Sequence, residues 1–229
     1  MPAHYRLPST VYFIVNTFAL ALGSWGLSFI TSSPLPEQLA EGGPWQFLTN
    51  LSLALSLIAI ISNYVVILFK PTALTLKLNA TLNASSLVLE TLVALIYWTL
   101  KIFFMALIVP ENVTKDKFIP IQVDLTIHLF PVFYLSTDYC FNRTDAFRLP
   151  LLFVISMVGT LTGAYWLILE ALVKPPAHYP YPFLNVEESE RMKIFVAVGL
   201  LALAFYHIYE YIHAVVERVL YSTDKAKSD

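Results

Sequence analysis

Six apolar runs, each long enough to cross a lipid bilayer, constrain this chain more than any other feature. A transmembrane helix needs roughly 20 apolar residues to cover the hydrocarbon core. Runs of that length fall at about Ser9–Thr31, Trp45–Phe69, Ser86–Val109, Ile121–Phe141, Leu151–Val173 and Ile194–Leu220. The short connections carry helix breakers: Pro34 and Pro36, Pro71, Pro110, Pro150, then Pro175, Pro176, Pro180 and Pro182. Of 229 residues, 57% are hydrophobic and 13% charged, and a water-soluble domain of this size cannot hide so much apolar surface. The expectation is an all-α polytopic membrane protein: one integral membrane domain over residues 1–229, built as a bundle of six transmembrane helices. The first run is too long and continuous for a cleavable signal peptide and reads as a retained anchor.

Composition also removes function classes. A single cysteine rules out an internal disulfide framework and a thiolate zinc cluster. A formal charge of −2 offers no basic surface for nucleic acid. No cofactor or metal is expected. His207, Glu210 and His213 have a spacing that suits a metal pair, but no HExxH-type pattern accompanies them, and interhelical hydrogen bonding is the preferred reading.

Orientation follows from counting Lys and Arg in alternate loops. With a cytoplasmic N-terminus, that side carries Arg6, Lys70, Lys77, Arg143, Arg148, Arg218, Lys225 and Lys227. The other side carries Lys115, Lys117, Lys174, Arg191 and Lys193, which favours both termini in the cytoplasm. Glycosylation sequons do not decide the matter: Asn112 falls on the expected lumenal side, and Asn79, Asn83 and Asn142 on the cytoplasmic side. Residence in the endoplasmic reticulum or another endomembrane is expected, with the plasma membrane as the alternative.

Polar residues inside the spans narrow the search for chemistry, because ionisable groups at membrane depth face a bundle interior or a cavity. Thr49, Ser52, Ser56 and Asn63 share one helical stripe of the second span. The competing reading is a packing face whose hydroxyls bond the backbone one turn back. In the fourth span Asp124 and His128 stand one turn apart, with Pro131 three residues on. Proline there removes the N–H that would bond the Ile127 carbonyl, so a kink is expected beside the histidine. Asp124 can orient the imidazole as a carboxylate does in hydrolase triads; alternatively, His128 is a buried histidine satisfied by its neighbours. The second and fourth spans run in one direction and the third runs back. Thr49, His128, Asp124 and Lys101 can therefore share a layer near one interface, with Lys101 either supporting the site or neutralising Asp124. Glu90 and Glu170, near expected span ends, are expected to snorkel or pair.

Gly42-Gly43-Pro44-Trp45-Gln46-Phe47-Leu48-Thr49 resembles the Gly-Gly-x-Trp-x-x-Leu-Thr opening of the androgen-induced gene 1 family, which includes fungal membrane proteins. Ile119-Pro120 ahead of His128 and Pro131, Tyr181-Pro182-Phe183-Leu184, and Tyr206 with Glu210 agree with that family in order along the chain. The resemblance implies a multipass threonine hydrolase acting on fatty acid esters of hydroxy fatty acids, with Thr49 as nucleophile and His128 as its base. Animal members read Asn-His-Gly-Met-His where this chain has Asp124-Leu-Thr-Ile-His128, which bears on substrate range. An activated threonine would form an acyl-enzyme that water then releases. Asn50 or a backbone N–H at the start of the second span is a candidate oxyanion donor. Two other classes stay open: a non-enzymatic membrane scaffold or regulator, and a proton- or ion-coupled transporter. The latter predicts repeats that the chain does not display.

Overall fold

A computed structural model describes residues 4–105, 119–174 and 176–221. Helix α1 spans Ser9–Ser32 and α2 is one turn, Glu37–Ala40; a 3-10 turn at Pro44–Gln46 then leads into α3, Leu48–Leu68. Helix α4 runs over Ala73–Phe103, α5 over Ile121–His128 and α6 over Phe130–Thr137, which continues as a π turn, Asp138–Asn142. Helices α7, Leu151–Leu172, and α8, Glu188–Val216, complete the bundle, and a π turn extends α8 to Tyr221. The described residues form no named strand. Five of the helices, α1, α3, α4, α7 and α8, are long and apolar enough to span a bilayer. The chain is an all-α polytopic membrane protein.

The fourth expected span is the exception to a simple six-helix count. It is broken at Leu129 (φ −128°, ψ −44°), between α5 and α6. Pro131 is the cause: it has no N–H for the Ile127 carbonyl, and its ring crowds that oxygen. The break falls directly after His128, as the proline position predicts.

Three boundaries differ from expectation, each for a physical reason. Helix α3 starts at Leu48 rather than Trp45, because Gly43 adopts φ +66° and Pro44 begins the 3-10 turn. Helix α4 starts at Ala73, well ahead of Ser86, capped by Thr72, whose hydroxyl accepts the Thr75 N–H at 3.2 Å. Asn79 and Asn83 lower the hydropathy of that stretch, yet both are buried inside the bundle. Helix α8 starts at Glu188, with Glu188 and Glu190 in its first turn, where the helix dipole favours negative charge. Residues 106–109 of the third expected span, the Asn112 sequon with Lys115 and Lys117, and the tail bearing Asp224, Lys225, Lys227 and Asp229 lie outside the described residues.

Close helix approach holds α1 against the rest. A Cβ on Gly23 would meet Leu57 Cδ2 at 2.8 Å, and one on Gly26 would meet Ile127 and Thr126 at 2.9 Å, so both positions need glycine unless the neighbours move. At the end of the bundle formed by the start of α4 and the end of α6, a polar network replaces apolar packing. Arg143, 7% exposed, donates to Asp138 Oδ2 at 3.0 Å, Asn79 Oδ1 at 2.9 Å and Asn63 Oδ1 at 3.0 Å. Asn63 donates to Asn16 and accepts from Asn79 and Asn83, while Tyr134 donates to Asn16. The Arg143 carbonyl accepts from Arg6 and faces His213 Nε2. This network joins α1, α3, α4, α6 and α8.

Several polar residues of α8 and its π turn are occupied in the same way. Glu210 accepts from the Tyr139 hydroxyl and the Phe147 N–H, and the Tyr206 hydroxyl accepts the Leu149 N–H at 3.0 Å. Glu217 pairs with Arg6. These contacts pin the segment between α6 and α7 to the bundle. Among the described residues, no three His, Cys, Asp or Glu side chains stand close enough to hold a metal ion. Glu170 pairs with Arg191 and accepts from Tyr179. Glu90 departs from expectation: it lies in the interior of the longer α4, 1% exposed, and accepts from Ser56 Oγ at 2.8 Å.

Candidate active site

The loop ahead of α3 is built to hold Thr49 in place. Gln46 is fully buried and donates to the carbonyls of Leu39, at 2.7 Å, and Gly43, at 2.9 Å. A Cβ on Gly42 would meet the Gln46 amide at 2.9 Å, so the first glycine makes room for that side chain while the second supplies the positive φ. Asn50 Nδ2 donates to the Pro44 carbonyl at 2.6 Å, which ties its side chain to the loop. Tyr165 of α7 donates to the Gln46 carbonyl at 3.0 Å, and the Tyr181 hydroxyl accepts the Leu48 N–H at 3.2 Å. Thr49 is thereby set in the first turn of α3, buried, with Tyr181 beside it.

Thr49 opens onto a cleft between α4, α7 and α8 that holds about 1030 Å³ of unfilled space, its open side included. Thr49, Tyr97, Tyr165 and Tyr181 line one end, and Val88, Met157, Val158 and Ala202 line the other. Along α8 the walls run from Ile194 to Ala202, roughly 12 Å at 1.5 Å per residue. Apart from the threonine and tyrosine hydroxyls, the lining is almost entirely hydrocarbon. Such a shape suits an acyl chain with its polar end at Thr49.

Asp124, His128 and Lys101 meet in one cluster. Asp124 is fully buried; its Oδ1 accepts from the Tyr97 hydroxyl at 2.6 Å and from His128 Nδ1 at 2.9 Å, while Oδ2 pairs with Lys101. Nδ1 also faces the Asp124 carbonyl at 3.2 Å. With two acceptors in front of it, Nδ1 is the nitrogen that donates, which in a neutral ring leaves the lone pair on Nε2. Lys101 ends in the last turn of α4, where a cation is favoured by the helix dipole, and it balances the Asp124 charge.

The two halves of the expected pair are not equally placed. Thr49 lines the cleft, whereas His128 is not among its walls; Tyr97 is, and its ring lies flat on the imidazole at 3.4 Å with 2° between planes. Sequence reasoning found Asp124, His128 and Lys101 from their spacing but missed Tyr97. Its signal was available, since Tyr97 precedes Lys101 by one helical turn on the same face. Tyr165 joins the site only through tertiary packing, and no local pattern marks it.

Fold and site together define a polytopic all-α membrane protein with a threonine at the polar end of a hydrocarbon-lined cleft and a histidine–aspartate–lysine cluster behind one wall. The profile of the FAR-17a/AIG1-like protein family matches residues 11–214, and the chain belongs to that family. It is similar to a UPF0641 membrane protein of Saccharomyces cerevisiae, 34% identical over 219 residues, covering 89% of this chain and 91% of the relative. A UPF0641 membrane protein of Schizosaccharomyces pombe is 27% identical over 206 residues, covering 88% and 89% respectively. No solved structure gives a significant match.

Proposed function

We propose that this protein is an intramembrane threonine hydrolase that cleaves lipid esters, with Thr49 as nucleophile, His128 as general base and fatty acid esters of hydroxy fatty acids as the substrate class. The observation that carries the reading is the Thr49 hydroxyl at the polar end of an apolar cleft. Membership of the FAR-17a/AIG1-like family and the fixed tautomer of His128 support it. In the reaction, Thr49 Oγ1 attacks the ester carbonyl as its proton passes to His128 Nε2. The tetrahedral intermediate collapses to an acyl-threonine, and the alcohol leaves with that proton. Water, activated by the same imidazole, then releases the acid. The reading requires the Tyr97 ring to move off the imidazole when substrate enters. We also propose an endomembrane location with both termini cytoplasmic, the orientation that the Lys and Arg count favours.

The test is labelling by a fluorophosphonate probe in membranes, paired with hydrolysis of a branched fatty acid ester by purified protein in detergent. Labelling should vanish in Thr49→Ala and persist in Ser56→Ala, whose hydroxyl bonds Ser52 O and Glu90 rather than facing the cleft. The stacking of Tyr97 over His128 also suits a second reading, a scaffold in which these groups only join helices. Absence of hydrolysis on every lipid ester tried would select that reading.

The floor of the cleft gives a further prediction. Ala202 is the lining residue furthest along α8 from the Thr49 end, and Met157 and Val158 are the furthest along α7. Ala202→Phe should fill that end and shift the preferred acyl chain to shorter lengths, while activity on short esters is retained. An unchanged chain-length profile would remove this cleft as the acyl site.

A further inference from the structure

The donor that stabilises the oxyanion is not assigned by the scheme above: Asn50 Nδ2 already donates to the Pro44 carbonyl, and at the start of α3 the Leu48 N–H donates to Tyr181 and those of Asn50 and Leu51 to the Phe47 carbonyl. The geometry points to Tyr181 as a catalytic residue of this reaction, its phenol O–H donating to the carbonyl oxygen as that oxygen takes up negative charge. The inference rests on the hydrolase reading above. Tyr181 and Thr49 line the same end of the cleft, and the hydroxyl of Tyr181 lies beside the Thr49 side chain. Its oxygen already accepts the Leu48 N–H. An N–H donated to a phenol oxygen polarises the phenol and strengthens the bond that its own hydrogen makes. Tyr181 lies between α7 and α8, outside both helices, and burial raises its pKa above the ordinary tyrosine value, so the proton is present at neutral pH. When Thr49 Oγ1 bonds to the carbonyl carbon, the π pair moves to the carbonyl oxygen and meets this O–H. When the C–O bond to the alcohol breaks, the pair returns, and Tyr181 keeps its hydrogen throughout.

Tyr206 supplies a matched control, because it also accepts one backbone N–H through its hydroxyl, yet it is absent from the cleft walls. Matched oxo- and thionoesters separate the roles, since sulfur is a poor hydrogen-bond acceptor. Tyr181→Phe should lower kcat on the oxoester about 10²–10³-fold with little change in KM, the usual cost of one oxyanion donor. The thionoester rate should fall far less, so the oxo/thiono ratio narrows. Tyr181→Gln, which restores a donor, should recover part of that ratio, and Tyr206→Phe should leave it at the wild-type value. Equal losses on both esters, no loss on either, or the same narrowing in Tyr206→Phe would overturn the assignment. An inactive Thr49→Ala alongside an unchanged ratio in Tyr181→Phe removes only Tyr181 from the mechanism. An active Thr49→Ala removes the hydrolase reading itself.

Discussion

A protein lacking both the Thr49 hydroxyl and the His128 imidazole should hydrolyse a lipid ester no more slowly than one lacking either group alone. In the proposed reaction nucleophile and base act on one proton in one step, so losing either abolishes the step, and the second loss has nothing left to remove. Each single alanine variant should fall by about four to six orders of magnitude in kcat, the range such units show elsewhere. Thr49→Ser keeps a hydroxyl at the same place and should retain measurable turnover. The comparison needs purified, monodisperse protein, because His128 is buried against Asp124 and Tyr97 and its removal leaves a space. Helical content and elution volume should match wild type before rates are compared. Losses that multiply in the double variant would show that the two residues do not work as a unit.

The second large effect is structural. Arg143→Ala should destabilise the bundle by about 3–5 kcal/mol, the cost of breaking a buried pair from one side. Its guanidinium is the donor to Asp138, Asn79 and Asn63 at once, so alanine leaves a buried carboxylate and two amide oxygens without it. Lys193→Ala is the contrast: its pair with Glu190 is exposed on both sides, 72% and 55%, and should contribute no more than about 1 kcal/mol. The measurement is the midpoint of denaturant unfolding in one detergent for all three proteins. Equal midpoints for the two variants would mean that the network does not hold the fold together.

The same residues show where the sequence could and could not be read. Apolar runs of about 20 residues identify the long helices directly, because a bilayer imposes that length. Residues 73–85 were not legible as helix, since Asn79 and Asn83 look like loop polarity and only tertiary structure reveals that they bond Arg143 and Asn63 inside the bundle. That misplaced start is also why Glu90 looked like a span end. Arg143 was counted among loop charges, yet it is a network residue. At the site, Asp124 and His128 were legible because a one-turn spacing on one helix needs no knowledge of the neighbours. Tyr97, Tyr165 and Tyr181 come from three other segments, and nothing local records that Tyr97 stacks on His128 while Tyr165 and Tyr181 hold the start of α3.

Thr49 stands in the first turn of α3, and Lys101 and Asp124 sit at the matching ends of α4 and α5, so the reactive chemistry is gathered at one end of the bundle. The cleft runs from there along α8 as far as Ala202. On the proposed reading, an ester would reach Thr49 from the leaflet at that end of the bundle, and both products would return to that leaflet. Lipid of the opposite leaflet would then reach the site only after crossing the bilayer. Insertion topology would then decide which of two separate lipid pools this protein consumes.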